Sequence, residues 1–228
     1  QRSDDLNVRK DEMLEAIQMV KAANNGIEGA LDLIASAKSL AQSALSAETT
    51  SERTTLESQF NQVLSQIDTL ADDSGYKGIN LINDSTEELT VKFDESGAKS
   101  NITITGFNGA AGHTSTTGLQ IANAVSWDTG TASQQSAAID NAIAKLDSAR
   151  TTLRTEEKRL STGLATVSTR LDFTKKMVNT LMDGAANLTL ADMNEEGANM
   201  LMLQTRQSLG TTSLSLSSQA AQSVLRLF

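Results

Sequence analysis

The absence of proline constrains this sequence more than any other feature. None of its 228 residues is proline. Because proline in a helix interior costs about 3 kcal/mol, a chain without it can form unusually long helices. Cysteine is also absent, which excludes disulfides, thiolate catalysis and thiolate metal sites. The sequence therefore favours long helices that are held together by apolar side chains.

Residues 4–47 carry the first apolar repeat, which has a period of seven. Two such series, four residues apart, are the d and a positions of a heptad and predict a helix that packs on other helices. Gly26 and Gly29 either weaken this helix or mark a close helix contact. The first series is Leu6, Met13, Val20, Ile27, Ile34 and Ala41, and the second is Lys10, Ile17, Asn24, Leu31, Lys38 and Leu45.

Residues 51–72 repeat the pattern over a shorter span. Thr50 or Ser51 is expected to cap the start of this second helix, and turn-forming residues at 72–75 are expected to end it. The seven-spaced residues are Leu56, Val63 and Leu70, with Phe60 and Ile67 between them.

The longest repeat covers residues 133–188. A helix of that span would be roughly 84 Å long, far longer than the helices of ordinary globular domains. Arg150 and Glu157 interrupt the second series. They either bridge to neighbouring chains or reach solvent, or they fix the register between helices. The first series is Ile139, Leu146, Leu153, Leu160, Val167, Thr174, Leu181 and Leu188, and the second is Ile143, Arg150, Glu157, Leu164, Leu171, Val178 and Ala185.

Between the second and third helices, the period changes from seven to two. Residues 89–93 and 101–105 alternate in polarity, and residues 94–97 favour a turn, so we expect a β-hairpin. Residues 106–118 are rich in Gly, Ser and Thr and predict an exposed loop. Trp127 is expected to anchor this region to the helices.

Residues 192–228 form a third kind of segment, with apolar residues on two sides of a predicted helix. Charge nearly vanishes after Arg206. A helix that is apolar on two sides needs partners on two sides, so this segment is expected to work by assembly. One apolar line is Leu201, Leu209, Leu216, Ala220, Val224 and Leu227, and the other is Leu203, Leu214, Ala221, Leu225 and Phe228.

Composition argues against catalysis, nucleic-acid binding and a membrane span. The net charge of −9 has the wrong sign for binding nucleic acid or anionic lipid. The single histidine, His113, lies in a Gly-rich segment with no group to orient a catalytic base. No apolar run approaches the roughly 18 residues that a membrane span needs. We therefore expect a protein that is not an enzyme, with no catalytic, cofactor-binding or metal site.

Three separated parts of the sequence resemble one family. The first part is the C-terminal end, where the matching segments are residues 191–196 (ADMNEE), 203–210 (LQTRQSLG) and 223–228 (SVLRLF). Residues 26–31 (GIEGAL) and 75–82 (GYKGINLI) match the same family in the same order. The sequence is similar to bacterial flagellin, the subunit of the flagellar filament, in a short form with a small outer region.

This resemblance implies a layout. Residues 1–83 and 133–188 would form a mainly α, antiparallel rod, residues 84–132 a reduced outer region with the hairpin, and residues 189–228 an inner assembly helix. In the family that last helix pairs with an N-terminal helix, which is expected upstream of Gln1. The expected self-assembly residues are Leu201, Leu209, Leu216, Val224, Leu227 and Phe228, and the expected rod-core residues are Met13, Ile27, Ile34, Leu56, Ile67, Leu146, Leu160 and Leu181.

The implied function is mechanical. The subunit would polymerise with itself, or with sibling flagellins, into an extracellular filament that drives swimming. Export by the flagellar secretion system implies an export chaperone, a filament cap and hook-junction proteins as partners. The alternatives are a hook–filament junction protein of the same family, which differs in copy number, and a coiled-coil adhesin or signalling rod, which needs a membrane anchor or a globular head.

Overall fold

A computed structural model describes residues 2–94, 100–112 and 118–225 of the chain. Its elements are helix α1 (Arg2–Ser46), helix α2 (Thr50–Asp73), strands β1 (Glu88–Lys92) and β2 (Asn101–Thr105), and helix α3 (Ala132–Leu225). The predicted mainly α fold with a small β-hairpin is confirmed. The chain divides into two compact units, Gln1–Lys175 (unit 1) and Lys176–Phe228 (unit 2).

Helix α1 contributes a continuous face to the core of unit 1. Its first seven-spaced series is buried along the whole length from Leu6 to Ala41. The second series is not the buried one: only Ile17 of that set is buried, and Leu45 is exposed. A row of alanines takes its place, because small side chains let neighbouring helices approach closely. These buried alanines are Ala16, Ala23, Ala30, Ala37 and Ala44.

Helix α2 begins slightly earlier than expected, and of its predicted apolar residues Phe60 and Ile67 are the buried ones. Thr49 is its N-cap and forms a capping box with Glu52, each side chain accepting a hydrogen bond from the other residue's backbone amide. The stripe through Val63 and the stripe through Phe60 both fit a heptad repeat. The spacing alone therefore did not show which of the two faces the core. The buried stripe is Phe60, Leu64, Ile67 and Ala71, while Leu56, Val63 and Leu70 are half-buried beside it.

Helix α3 runs antiparallel to α1 within unit 1. Near the α1–α2 connection, Arg53 donates a hydrogen bond to the side chain of Gln135. Further along α3, Asp147 accepts a hydrogen bond of 2.6 Å from Lys38, which lies before the end of α1. Arg53 also donates to the carbonyl of Ala47, just after α1, at 2.8 Å, so the start of α3 lies beside the end of α1. Later residues of α3 then lie beside earlier residues of α1, which makes the two helices antiparallel.

The buried seam of α3 follows the first predicted series. Every member from Ile139 to Val167 is buried, and so is the polar member Thr174. Arg150 is exposed, which supports the interpretation that it reaches solvent, and Glu157 is half-buried. The seam thus holds α3 in unit 1 through apolar burial.

The link after α2 closes with a tight turn. Lys77 and Gly78 have φ values of 51° and 85°, the positive pair that a two-residue type I′ turn requires. The Asn80 side-chain amide then donates to the carbonyl of Ala71 at 2.7 Å and caps the end of α2. Leu81 follows and is buried in the core. This segment returns the chain from the helix end to the helix pair.

The two glycines of α1 mark a close contact. A Cβ on Gly26 would collide with the side chain of Ser74 and lie 2.5 Å from Cδ1 of Ile82. A Cβ on Gly29 would lie 2.8 Å from Cδ2 of Leu70. Of the two interpretations of these glycines, the structure supports the close helix contact.

The hairpin lies directly on α3. Strands β1 and β2 pair antiparallel in a register that sets Leu89 opposite Ile104, and both side chains are buried. A Cβ on Gly163 of α3 would lie 3.0 Å from Cδ1 of Ile104, so the strands approach the helix closely. The predicted turn at 94–97 falls mostly outside the described residues.

The segment after β2 is buried rather than the exposed loop that composition predicted. The amide of Phe107 donates to the carbonyl of Leu81 at 2.9 Å, and the amide of Ala111 donates to the carboxylate of Asp68 at 2.7 Å. The side chains of Phe107 and Ala111 are buried. Glycine-rich composition here serves close backbone approach, a use that sequence alone does not separate from an exposed loop. Residues 113–117, which include the histidine, lie outside the described residues.

Trp127 joins the middle region to α2, as expected. Its ring centroid lies 4.9 Å from that of Phe60 at an interplanar angle of 55°, a favourable tilted geometry. Its backbone amide donates to the carboxylate of Glu57 at 2.9 Å. Both contacts hold the chain just before α3 against the middle of α2.

Candidate assembly surface

Unit 2 consists of the part of α3 that follows Lys175. The helix continues without interruption through residues 188–192, where the sequence suggested that one element ends and another begins. Of the side chains described after Val178, none is buried. Large apolar side chains are therefore exposed throughout this stretch. They are Met182, Leu188, Met193, Met200, Leu201, Met202, Leu203, Leu209, Leu214, Leu216 and Val224.

The exposed apolar residues form two lines on this helix. An α-helix turns about 100° per residue, which fixes the direction of every side chain around its axis. On that basis the two lines point about 130° apart around the helix axis, and the helix is continuous along both of them. Line A is Met202, Leu209, Leu216, Ala220 and Val224, and line B is Met193, Met200, Leu203, Leu214 and Ala221.

The predicted self-assembly residues do not all fall on these lines. Leu209, Leu216 and Val224 lie on line A and are exposed. Leu201 is also exposed, but it points about 80° away from Leu209, and Met202 takes its place on the line. The other two predicted residues, Leu227 and Phe228, lie outside the described residues. The sequence-based line reached Leu201 by a step of eight residues from Leu209, whereas a step of seven, which stays closer to one face of a helix, leads to Met202.

The predicted rod-core residues are placed mostly in the interior of unit 1. Six of them are buried, whereas Leu56 is half-buried in α2 and Leu181 is half-buried in unit 2. The core also contains large residues that were not chosen, notably Phe60 and Trp127. The buried six are Met13, Ile27, Ile34, Ile67, Leu146 and Leu160.

Between residues 204 and 222, a third face of unit 2 is polar and uncharged. The hydroxyl of Thr205 donates to the carbonyl of Leu201 at 2.8 Å, and that of Thr212 donates to Ser208 at the same distance. These hydroxyls are therefore satisfied within the helix itself. Between Arg206 and Arg226 the sequence contains no ionisable side chain. The polar face is lined by Gln204, Ser208, Thr211, Ser215, Gln219 and Gln222.

Two exposed groups of unit 1 have shifted pKa values. The Lys77 ammonium donates a hydrogen bond of 2.5 Å to the Glu15 carboxylate, which raises the pKa of Lys77. The backbone amide of Thr86 donates to the Asp84 carboxylate at 2.9 Å, which lowers the pKa of Asp84. Both shifts arise from local hydrogen bonds at the surface, so they give no sign of a group tuned for proton transfer.

Other kinds of candidate site concern residues 2–94, 100–112 and 118–225, the part of the chain that the structure describes. No helix there has a stretch long and apolar enough to cross a bilayer. The same residues hold no group of three or more side chains that could bind a metal ion. An open groove of about 670 Å³ beside the α1–α2 connection is lined by polar residues such as Ser46, Thr49 and Glu52. The exposed lines of unit 2 remain the most prominent functional feature.

Comparison with known proteins points to one family. The family model of the bacterial flagellin C-terminal helical region matches residues 136–228, which include both lines. Flagellin FljK of Caulobacter vibrioides is 28% identical over 227 residues, covering 98% of this chain and 77% of FljK. Flagellin FljM of the same species is 29% identical over 228 residues, with the same coverage. Flagellin B of Rhizobium meliloti is 35% identical over 92 residues, covering 40% of this chain and 23% of that protein.

The fold gives a separate comparison. The crystal structure of Bacillus cereus flagellin matches with a TM-score of 0.56 at 16% identity, covering 72% of this chain and 88% of that one. The sequence matches run along nearly the whole chain, and the fold match agrees with them. The C-terminal helical region, the relatives that align along nearly the whole chain and the fold are thus all similar to those of bacterial flagellins.

Proposed function

We propose that unit 2 is the element through which this subunit polymerises. The observation that carries the proposal is the pair of apolar lines, exposed along a continuous helix. Burying one leucine side chain contributes about 1.5–3 kcal/mol. Line A contains two leucines, a methionine and a valine, so its burial supplies gross free energy of the same order as the roughly 4–15 kcal/mol that association costs.

Two lines pointing in different directions favour two different neighbours. When one surface of a subunit binds a different surface of the next copy and the rotation does not close, the product is an open helical filament. Line A and line B supply two such surfaces on one helix. The uncharged polar face lies between the two lines on the other side of the helix. Its side chains are polar, so this face can stay in contact with water.

The remaining roles follow from this arrangement and from the family. Unit 1 has its own core and forms the folded body of the subunit, and the filament transmits motor torque as thrust. Before assembly the apolar lines need cover, since exposed patches of this kind promote aggregation. An export chaperone would cover the apolar lines before assembly. The other proposed partners are a filament cap, hook-junction proteins and the flagellar secretion system. The subunit has no catalytic role in this proposal.

The test compares two adjacent residues of unit 2. Leu216→Asp places a charge on line A, and Ser215→Asp places the same charge on the polar face. We expect the intact subunit carrying Leu216→Asp to form no filaments by electron microscopy and sedimentation, and Ser215→Asp to polymerise. Circular dichroism should show both variants with an intact unit 1. Filaments from Leu216→Asp at the unmodified yield would show that line A is not an assembly surface.

A further inference from the structure

The methionines of this chain are concentrated in its exposed helix. Five of the seven lie between residues 177 and 202. Met193, Met200 and Met202 are 69%, 67% and 53% exposed, whereas Met13 in the core of unit 1 is 0% exposed. The same side chain therefore occurs in two opposite environments within one subunit.

These exposed thioethers stand at the start of both apolar lines. Met193 and Met200 are seven residues apart on line B, and Met202 begins line A. Met182, which is also exposed, points within about 20° of Met193 and Met200. A chemical change at these sulfurs would therefore alter both surfaces at once.

The chain offers few competing targets for an oxidant. It contains no cysteine, and its single tryptophan is buried in unit 1. Susceptibility of a sulfur to oxidation follows its exposure. In the free subunit an oxidant therefore meets the thioethers of unit 2 before any other readily oxidised group among the described residues.

We propose that Met193, Met200 and Met202 form an oxidation site that stops polymerisation of the free subunit. The inference rests on the proposed function of unit 2. The thioether sulfur attacks one oxygen of hydrogen peroxide, an S–O bond forms as the O–O bond breaks, and the departing hydroxide takes the proton from the transferred oxygen. The products are a sulfoxide and water. Sulfur is oxidised by two electrons and the peroxide is reduced.

The sulfoxide changes what each line can bury. A thioether is a flexible apolar side chain that fills irregular gaps, and its sulfoxide is polar and chiral. Burying that polar group in an apolar contact without a hydrogen-bond partner is unfavourable. Polymerised subunits keep these sulfurs inside the contacts, so the oxidant acts on the unassembled pool, and sulfoxide reductases can reverse the change.

The first experiment measures where oxygen is added. The intact subunit is treated with hydrogen peroxide, and sulfoxide at each methionine is followed by peptide mass spectrometry. We expect Met13 to react at least ~10-fold more slowly than Met193, Met200 and Met202, in line with exposure. In preformed filaments those three should slow towards the rate of Met13. Equal rates in free and polymerised protein would overturn the inference.

The second experiment measures polymerisation. Untreated subunits should polymerise, peroxide-treated subunits should lose at least ~10-fold in filament yield, and sulfoxide reductase should restore it. In a variant with Met193→Leu, Met200→Leu and Met202→Leu, peroxide-treated and untreated subunits should give the same filament yield, because leucine has no sulfur to oxidise. Oxidised wild-type subunits that still polymerise fully would overturn this inference alone. Failure of untreated wild-type and variant subunits to polymerise would overturn the proposed function and this inference with it.

Discussion

Two stretches of helix α3 carry the same kind of apolar pattern with opposite results. In unit 1 the series from Ile139 to Val167 is buried, and in unit 2 the line from Leu209 to Val224 is exposed. Both are parts of one uninterrupted helix. Spacing therefore shows that a helix face needs a partner, but it does not show whether that partner is in the same chain or in another copy.

The same substitution in the two stretches should have very different effects. Leu160 is 0% exposed and Leu209 is 65% exposed. We expect Leu160→Ala to lower the free energy of unfolding by about 2–5 kcal/mol through lost burial and a cavity. Leu209→Ala should change it by no more than about 0.5 kcal/mol in the free subunit. Chemical denaturation measures both values.

A neighbouring control checks the register of the buried stretch. Ser161 follows Leu160 and is exposed. Ser161→Ala should leave the free energy of unfolding within about 0.5 kcal/mol of wild type. Equal losses for Leu160→Ala and Ser161→Ala would mean that the seam of α3 is assigned to the wrong face.

Glycines give a second contrast between the units, with opposite signs. A Cβ on Gly26 would collide with Ser74, whereas a Cβ on Gly210 would meet nothing within 4 Å. We expect Gly26→Ala to destabilise unit 1 by about 1–3 kcal/mol through overpacking. Gly210→Ala should stabilise the helix of unit 2 by about 0.5–1 kcal/mol. Thermal melting of unit 1 and helical circular dichroism of unit 2 report the two changes, and a stabilising Gly26→Ala would contradict the close contact.

The smallest effect concerns charge in unit 1. Because the Glu15 hydrogen bond raises the pKa of Lys77, this pair stabilises the fold below the usual lysine pKa of 10.5 and loses that contribution as pH rises through the raised value. Glu15→Gln should lower the pKa of Lys77 in an NMR titration and leave thermal stability at neutral pH nearly unchanged, since the pair is exposed. A large loss of stability would mean that surface charge, and not burial, holds unit 1 together.

The heptad pattern predicted much of the fold because it records burial directly. It identified the buried series of α1 from Leu6 to Ala41 and that of α3 from Ile139 to Val167. It missed the buried alanines of α1, such as Ala16 and Ala23. Alanine occurs in cores and on surfaces alike, so its hydropathy does not indicate which side of a helix is buried. In α2 it named residues of both stripes, of which Phe60 and Ile67 are buried and Leu56, Val63 and Leu70 are half-buried.

The middle region was harder to predict because its burial depends on backbone contacts. The hairpin alternates in polarity and was predicted correctly. Residues 106–112 have loop composition, yet Phe107 and Ala111 are buried through amide hydrogen bonds to distant segments. In unit 2, family resemblance located the segment and hydropathy located the leucines, but Met202 was missed because the predicted line stepped eight residues from Leu209 to Leu201.

The buried alanines of α1 also have a consequence for alignment. A row of identical small side chains repeating every seven residues looks the same after a slide of one heptad, so it carries almost no information about position. Uniqueness must come from contacts that do not repeat. The close fit of Gly26 against Ser74 and the ion pair of Lys38 with Asp147 do not recur from one heptad to the next. These contacts therefore fix the register of α1 against its neighbours. Without these contacts, we expect α1 to pack nearly as well one heptad out of register.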